Sequence, residues 1–459
     1  MSTAVLSEAK LMWHERDASM QEVIDALDRT RKDFARQDAA NADMPHPRSC
    51  VMTLVVVVSN DREEKLAEQI AHLISKDHPL EAIIVRERYG IRTGKIEAWI
   101  HADVQRPEYS CARECEFITL HVRGAAGEHL AALVDPLLVS GVPTYLWWAG
   151  TPPFGKAELE DALRIGDALV VDSSQFAMPY QAFRGLAKLM AAAHQKLGMS
   201  DLQWSRIRPW REMIAGFFSP ADRHAFLDGI SEVGIDYAGD GRGNRIAASI
   251  TVGWLATALD WKLNSAAAGT GGAVRALYTD RRGQTVDVQM RSVPKEKLLS
   301  GELAAVRIGG VAGGMTFRLS MLRDPERKRR PPDEPSYRTL HHADGEDEAG
   351  IELASRRAEW HRDVLHENFD SLHHIATGDP PGESRPQQPA VFVRDRRRKD
   401  TSQVLLTVIE IGEAEPLRHV QTFDTDDEAT LVLDLLSNGT HDPVFARSLR
   451  AASELMHKF

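Results

Sequence analysis

The segment Thr144–Phe154, TYLWWAGTPPF, joins a short apolar strand to an abrupt loop. Trp147 and Trp148 end the apolar run, and a glycine and a pair of prolines follow almost at once. Because successive side chains of a strand point to opposite faces, the two tryptophans place aromatic bulk on both faces of the sheet, which is typical of a buried central strand. The segment therefore predicts the middle of a sheet, with the loop Gly150–Phe154 at the strand's carboxyl end.

Length and composition indicate a globular protein of more than one domain. A chain of 459 residues is too long to fold around one ordinary hydrophobic core, so two or more domains are expected. Of its residues, 43% are hydrophobic and 27% are charged. The net charge of −11 gives no general attraction to nucleic acid. No apolar run near the N-terminus approaches the ~20 residues that span a bilayer, and no secretory signal is visible there. We therefore expect a cytoplasmic protein with neither a membrane nor a nucleic acid as partner.

Residues 47–175 alternate strand-like and helix-like segments. An amphipathic helix that begins at the capping box Ser19–Glu22 precedes them, so residues 1–46 are predicted to form an N-terminal helix and a linker. The predicted strands are residues 51–59, 81–89, 95–103, 116–123, 144–148 and 168–172. The helices between them lie near residues 62–75, 128–138 and 156–163. Strands interleaved with helices predict an α/β N-terminal domain with a largely parallel sheet.

The pattern changes from about residue 176. Long helical segments come first, and Asn244 is placed to cap one that runs through Leu263. Two segments in which apolar and polar residues alternate then follow, at residues 274–290 and 306–319, and each contains a turn sequence. We therefore predict an α+β domain with an antiparallel sheet over residues 176–322. Residues 323–389 are predicted to be a charged linker and helix, and residues 390–459 a small α+β C-terminal extension.

No motif in the chain predicts catalytic, cofactor-binding or metal-binding residues. Gly269–Gly272 follows a predicted helix and precedes a strand, which is the reverse of a dinucleotide fingerprint, so we interpret it as a helix stop. Gly309–Gly314 is interpreted as a hairpin turn. The histidines between His341 and His374 lack converging spacing and indicate a solvated surface. No nucleophile elbow is present.

The three cysteines are too few for a disulfide framework, and an odd number cannot all pair within the chain. Cys111 and Cys115 are four residues apart near the start of a predicted strand. Buried or half-buried thiols are the favoured interpretation of this pair, and a redox role is the alternative.

An arginine cluster lies around a helix start. Arg206, Arg208 and Arg211 surround Trp210, and Pro209 opens the helix. Such a cluster can bind an anion at the helix N-terminus, or it can anchor a contact between domains. The sequence leaves both interpretations open.

Two tryptophan motifs together carry a family resemblance. The segments PLLVSGVPTYLWWAGTPP, at residues 136–153, and WSRIRPWRE, at residues 204–212, resemble the glucose-6-phosphate dehydrogenase assembly protein family, OpcA. The runs ITLHVRG, at 118–124, and Arg48–Val58 are similar to that family too. The resemblance covers roughly residues 47–319.

The resemblance implies an accessory protein rather than a catalyst. Members of the family are required for assembly or full activity of the bacterial glucose-6-phosphate dehydrogenase, which feeds the oxidative pentose phosphate pathway and produces NADPH. It implies no cofactor, and in photosynthetic bacteria the family is linked to thiol-dependent control. We therefore expect an assembly factor and allosteric activator whose partner is glucose-6-phosphate dehydrogenase. The alternative is a sugar-phosphate or nucleotide-binding enzyme or sensor that uses the cleft beside the Trp147–Trp148 strand.

Seven residues are expected to form the partner surface or the scaffold directly behind it. They are Trp147, Trp148, Phe154, Arg206, Arg208, Trp210 and Arg211.

Overall fold

The computed structural model describes residues 10–40, 50–76, 78–88, 96–105, 113–123, 129–193, 197–240, 244–294, 298–324, 402–424, 428–438 and 441–459. Cys111, the histidines at 341–374, most of the predicted linker and helix at 323–389, and the first residues of the predicted C-terminal extension lie outside this part of the chain. The described residues all belong to one compact unit within residues 1–328 and 399–459.

The first sheet has eight strands in the order β1-β4-β5-β3-β2-β6-β7-β8. Their bounds are β1 (Lys10–Ala18), β2 (Met52–Val58), β3 (Leu80–Arg88), β4 (Ile96–Gln105), β5 (Arg113–Arg123), β6 (Thr144–Trp148), β7 (Ala168–Val171) and β8 (Gly198–Asp201). The six strands from β5 to β8 in this order pair in parallel, and β4 and β1 add antiparallel strands at one edge. The predicted α/β character is confirmed, and the sheet is mixed.

Eight α-helices lie within residues 20–227 of the described chain. They are α1 (Met20–Ala40), α2 (Asp61–Ser75), α3 (Leu130–Val134), α4 (Ala157–Ala162), α5 (Pro179–Ala192), α6 (Leu202–Arg206), α7 (Arg208–Phe218) and α8 (His224–Leu227). Helix α2 packs on one face of the first sheet, and α1 and α3 pack on the other. The central strand β2 is buried along almost its whole length, because it carries a run of Leu and Val with no polar alternation. As predicted for a central strand, Trp147 and Trp148 of β6 pack against separate apolar clusters.

The second sheet also has eight strands, in the order β10-β11-β12-β9-β13-β14-β15-β16. Their bounds are β9 (Ile230–Ala238), β10 (Lys262–Ala268), β11 (Val274–Thr279), β12 (Thr285–Val293), β13 (Leu303–Ala312), β14 (Met315–Asp324), β15 (Ser402–Ile411) and β16 (Leu417–Asp424). Helix α9 (Ile246–Ala258) follows β9. The prediction of an antiparallel sheet needs a correction, because β9 and β12 pair in parallel. The chain passes through α9 and a hairpin between them, and such a crossover permits parallel pairing.

The segment after α9 also differs from the prediction. The helix ends at Ala258 rather than near Leu263, and Asp260 adopts a left-handed φ of 54° that turns the chain into β10. Gly269–Gly272 is therefore not a helix stop but the turn between β10 and β11. The sequence of β10, KLNSAAA, favours a helix, and pairing with β11 overrides that preference.

The C-terminal residues do not form a small unit of their own in the described part of the chain. β15 pairs with β14 and so extends the second sheet. The two last helices are α10 (Glu428–Asn438) and α11 (Pro443–Met456). α10 packs on α2 and α6, whereas α11 packs on α9 and α5. The sequence could not indicate these contacts, because each joins segments that are far apart in the chain.

Helix α11 lies unusually close to α9. A Cβ atom added at Gly253 of α9 would lie 2.8 Å from the backbone nitrogen of Ala452 and closer still to the backbone oxygen of Ser448. Only a glycine permits this approach, so the close packing of α9 and α11 depends on Gly253. Within the described residues, no helix combines the length and the apolar character needed to cross a membrane.

Candidate functional site

In the first sheet the direction of chain progression reverses between β2 and β6, and such a switch point forms a crevice at the carboxyl ends of the two strands. The chain leaves β2 toward β3 on one side, and the strands that follow β6 lie on the other side. In open α/β sheets, ligands bind at such a switch point. The loop Gly150–Phe154 follows β6 at this edge, as predicted.

The start of α2 fills this crevice with the protein's own groups. The Asn60 side chain accepts hydrogen bonds from the backbone N–H groups of Arg62 and Glu63. The Glu63 carboxylate accepts from the backbone N–H of Ser59 at 2.7 Å, and a Cβ at Gly150 would lie 3.6 Å from its Oε1. Helix amides that would otherwise meet a phosphate are thus already bonded.

Further charges at this edge are also paired internally. Asp61 and Glu64, both in the first turn of α2, bond to the guanidinium of Arg86 at the end of β3. The Nε2 atom of His121 lies 2.9 Å from Oε2 of Glu64. Burial tends to raise the pKa of the Glu64 carboxyl, but His121 and Arg86 outweigh it and lower that pKa. The Glu64 carboxylate therefore stays ionised, and a second anion would be repelled here.

The loop after β6 forms an aromatic corner, which we define as residues 148–154 together with 176–178. Phe154 packs on α5, where a Cβ at Gly185 would lie 2.5 Å from its own Cβ, and its ring meets that of Phe176 at 5.9 Å. The Thr151 hydroxyl accepts from the backbone N–H of Ala177 at 2.7 Å. Met178 is 61% exposed beside these rigid contacts.

The two tryptophans of β6 have different environments. Trp147 is 2% exposed and packs in the cluster that includes α2 and α10. Trp148 is half-buried against the larger cluster. Trp147 is thus a buried core residue, whereas Trp148 lies at the edge of the aromatic corner.

Arg206 is held by the loop that follows β7. Its Nη1 and Nη2 donate to the two carboxylate oxygens of Asp172, at 2.6 and 2.9 Å. Nη1 also lies 3.1 Å from the Ser174 hydroxyl. The same loop continues to Phe176 and Met178, so the structure brings Arg206 and Phe154 to opposite ends of one loop.

The other members of the arginine segment face the C-terminal helices. Nη1 of Arg208 donates to Asp434 of α10 at 2.8 Å, and the Arg211 guanidinium lies 3.4 Å from the centroid of the Trp204 ring. The Trp204 indole N–H donates to Asp442 at 2.8 Å. Burial lowers the pKa of Arg211 to about 10. Trp210 is buried behind these contacts.

These pairings favour the anchoring interpretation of the arginine segment over the anion-binding one. Sequence reasoning missed the carboxylates that complete it, Asp172, Asp434 and Asp442. Asp442 also caps α11 by accepting from the N–H groups of Val444 and Phe445. Its second contact, to Trp204, spans 238 positions of sequence and left no local signal.

Cys115 is buried in β5, and Cys50 is half-buried with its thiol 3.1 Å from the backbone oxygen of Met52. In the part of the chain that the structure describes, no group of three or more His, Cys, Asp or Glu side chains is arranged to hold a metal ion.

Comparison with known families covers most of the chain. Residues 71–188 match the family described as glucose-6-phosphate dehydrogenase subunit N-terminal domain, with the short name OpcA. Residues 197–449 match the corresponding C-terminal domain family. The two matches meet near the start of β8.

Curated relatives are similar over part of their length. A protein of Synechocystis is 31% identical over 161 residues, which is 35% of this chain and 33% of that protein. One of Nostoc punctiforme is 29% identical over 218 residues, 47% of this chain and 46% of that protein. Both bear the provisional name OxPP cycle protein OpcA. The match therefore spans less than half the length of either relative.

Among solved structures, a 3-ketoreductase of Actinomadura kijaniata is 12% identical, with a TM-score of 0.41, over 88% of this chain and 95% of that one. A similarity at this level supports no inference about chemistry.

Proposed function

Because the chain belongs to the glucose-6-phosphate dehydrogenase subunit family, OpcA, we propose that it is a non-catalytic assembly factor and allosteric activator of glucose-6-phosphate dehydrogenase. It acts in the cytoplasm of a bacterium and supports the oxidative pentose phosphate pathway and its production of NADPH. Activation requires no chemistry in this chain, because a protein that binds the active, oligomeric state more tightly shifts the dehydrogenase toward that state.

One observation supports a binding role over an enzymatic one. The switch-point crevice is occupied by Glu63, and the first turn of α2 carries three carboxylates, on Asp61, Glu63 and Glu64. Carboxylates at a helix N-terminus compete with a phosphate for the same helix amides and repel it. This weighs against the alternative of a sugar-phosphate or nucleotide-binding enzyme or sensor.

The aromatic corner fits the role of partner surface. Its backbone is fixed by the Thr151–Ala177 hydrogen bond and by Phe154 packed on Gly185, so little conformational entropy is lost on binding. Met178 adds an exposed, adaptable apolar side chain beside two half-buried aromatic rings. The arginine segment acts behind it as scaffold, because Arg206 positions the loop that carries Phe176 and Met178.

The test is the activity and the mass in solution of the bacterial dehydrogenase with and without this protein. We expect a larger oligomer fraction and a higher kcat/KM in its presence. Identical kinetics and identical mass would contradict the proposal.

Substitution maps the surface in the same assay. Met178→Asp is expected to weaken binding of the dehydrogenase by about tenfold or more, as charges placed in an apolar contact commonly do. Val311→Asp is the matched control, since Val311 is similarly exposed, 54%, near the end of β13. Equal loss in both variants would show that the aromatic corner is not the binding surface.

A further inference from the structure

The start of helix α9 is tied to both ends of the short segment that carries the exposed Met178. At one end, Nδ2 of Asn244 donates to the backbone oxygen of Ser173 at 3.0 Å. At the other end, Nε of Arg245 donates to the Tyr180 hydroxyl at 3.1 Å. The segment is therefore bracketed by two hydrogen bonds to consecutive residues, and Arg245 lies beside the aromatic corner.

The Arg245 guanidinium is framed by two aromatic rings. Its Cζ atom lies 5.1 Å from the centroid of the Tyr180 ring and 5.3 Å from that of the Phe459 ring. All three residues are half-buried. These cation–π contacts, together with the hydrogen bond from Nε, restrict a side chain that is otherwise long and flexible. The guanidinium is therefore held in place before any partner binds.

The two terminal nitrogens of this guanidinium, Nη1 and Nη2, are available for further hydrogen bonds. Among the described residues, the Tyr180 hydroxyl is its one hydrogen-bond acceptor, and no carboxylate pairs with Arg245. Neither Nη atom is sealed from solvent, unlike the buried and unbonded nitrogens of Arg307. A guanidinium presents its terminal nitrogens as a planar fork that matches the two oxygens of a carboxylate.

A second arginine adds positive charge to this surface. Arg184 lies one turn after Tyr180 on the same face of α5, is half-buried, and has no carboxylate partner in the described part of the chain. In the arginine segment, by contrast, Arg206 and Arg208 are both paired with aspartates. The whole chain carries a net charge of −11, so unpaired arginines beside an exposed methionine depart from its average. This combination fits a partner segment in which a carboxylate lies next to an apolar side chain.

We propose that the Arg245 guanidinium binds a carboxylate of glucose-6-phosphate dehydrogenase, from an acidic residue whose apolar neighbour packs on Met178. The inference rests on the proposed function and adds the chemistry of the partner segment to it. Because Met178 and both Nη atoms are open to solvent, a partner side chain reaches them without rearrangement of the corner. A free phosphate is less well matched, since the first amide of α9, which could join the guanidinium in binding it, is already bonded to Asn244.

Calorimetric titration of the full chain with the bacterial dehydrogenase tests the contact. Arg245→Gln removes the charge and is expected to weaken binding by about tenfold at low ionic strength. Arg245→Lys keeps the charge but not the planar fork, and a loss of about threefold is expected. The matched control is Arg164→Gln, because Arg164 is an exposed arginine at the amino end of β7, away from the corner, and has no side-chain partner among the described residues.

Ionic strength supplies a second reading that needs no variant. The affinity of the wild type is expected to fall as NaCl is raised, and its advantage over Arg245→Gln is expected to narrow, because salt screens an exposed ion pair. A wild-type affinity that does not change with NaCl would overturn the inference. Equal binding by the wild type and Arg245→Gln, or equal losses in Arg245→Gln and Arg164→Gln, would overturn it too and leave the proposed function intact. Failure of the wild type to bind the dehydrogenase would overturn both.

Discussion

Arg206 and Arg307 are both largely buried arginines that meet an aspartate, yet their surroundings differ. Arg206, beside the first sheet, donates to both carboxylate oxygens of Asp172 and to the side-chain oxygens of Ser174 and Gln203. Arg307, in the second sheet, shares Asp236 with Arg291 and bonds to one oxygen. A guanidinium that is paired with its own carboxylate positions a loop, whereas two arginines that share one carboxylate form a buried charged cluster.

The largest expected loss of stability comes from a substitution at Asp236. Asp236→Asn removes the negative charge that two buried arginines share, and the unfolding free energy is expected to fall by about 3–5 kcal/mol. Urea denaturation measures this. The control is Asp287→Asn, whose partner Arg275 is exposed, and a loss below about 1 kcal/mol is expected there. Similar losses in the two variants would contradict the view that Asp236 neutralises a buried cluster.

The next effect concerns α11, whose N-cap residue Asp442 accepts a hydrogen bond from Trp204. Gly253→Ala forces α9 and α11 apart and is expected to cost about 2–3 kcal/mol of stability. Gly216→Ala is the control, because a Cβ there in α7 meets nothing within 4 Å. That variant is expected to gain about 0.5–1 kcal/mol from its reduced unfolded-state entropy. If Gly253→Ala is as stable as Gly216→Ala, the close approach of the two helices is not as described.

A third variant separates the two contacts of Asp442. Asp442→Ala removes the cap of α11 and the acceptor of the Trp204 indole, and a loss of about 2 kcal/mol is expected in urea denaturation. Asp442→Asn keeps a side-chain oxygen for one of these contacts and should lose less. Equal stability of the wild type and Asp442→Ala would mean that neither contact contributes.

The smallest expected effect depends on pH and tests a carboxylate without an arginine partner. Burial raises the pKa of Asp201 from 3.8 to about 6, so between these values the folded state binds a proton that the unfolded state does not. Stability therefore decreases as pH rises through this window. Asp201→Asn removes the titration and is expected to be about 1–2 kcal/mol more stable than the wild type at pH 8, but not at pH 4. A stability difference that does not change with pH would contradict this assignment.

Local patterns in the sequence predicted much of the first sheet. The opposite faces of Trp147 and Trp148 follow from their adjacency, and the burial of β2 follows from its valine run. The strand β10 was missed because its alanines favour a helix. The turn before it was missed because its left-handed residue is Asp260, not the glycine that usually indicates such a turn. The contacts of Arg208 and Trp204 with the C-terminal helices were missed because they join distant segments. The predicted domain boundaries and partner-surface residues stay predictions.

The most direct test of the account is calorimetric titration of the wild-type chain with glucose 6-phosphate, with NADP and with the bacterial glucose-6-phosphate dehydrogenase. We predict saturable binding of the dehydrogenase, reduced in Met178→Asp, and no binding of either small molecule at the crevice that Glu63 fills. Specific binding of NADP or glucose 6-phosphate by the isolated chain, with no binding of the dehydrogenase, would contradict the account.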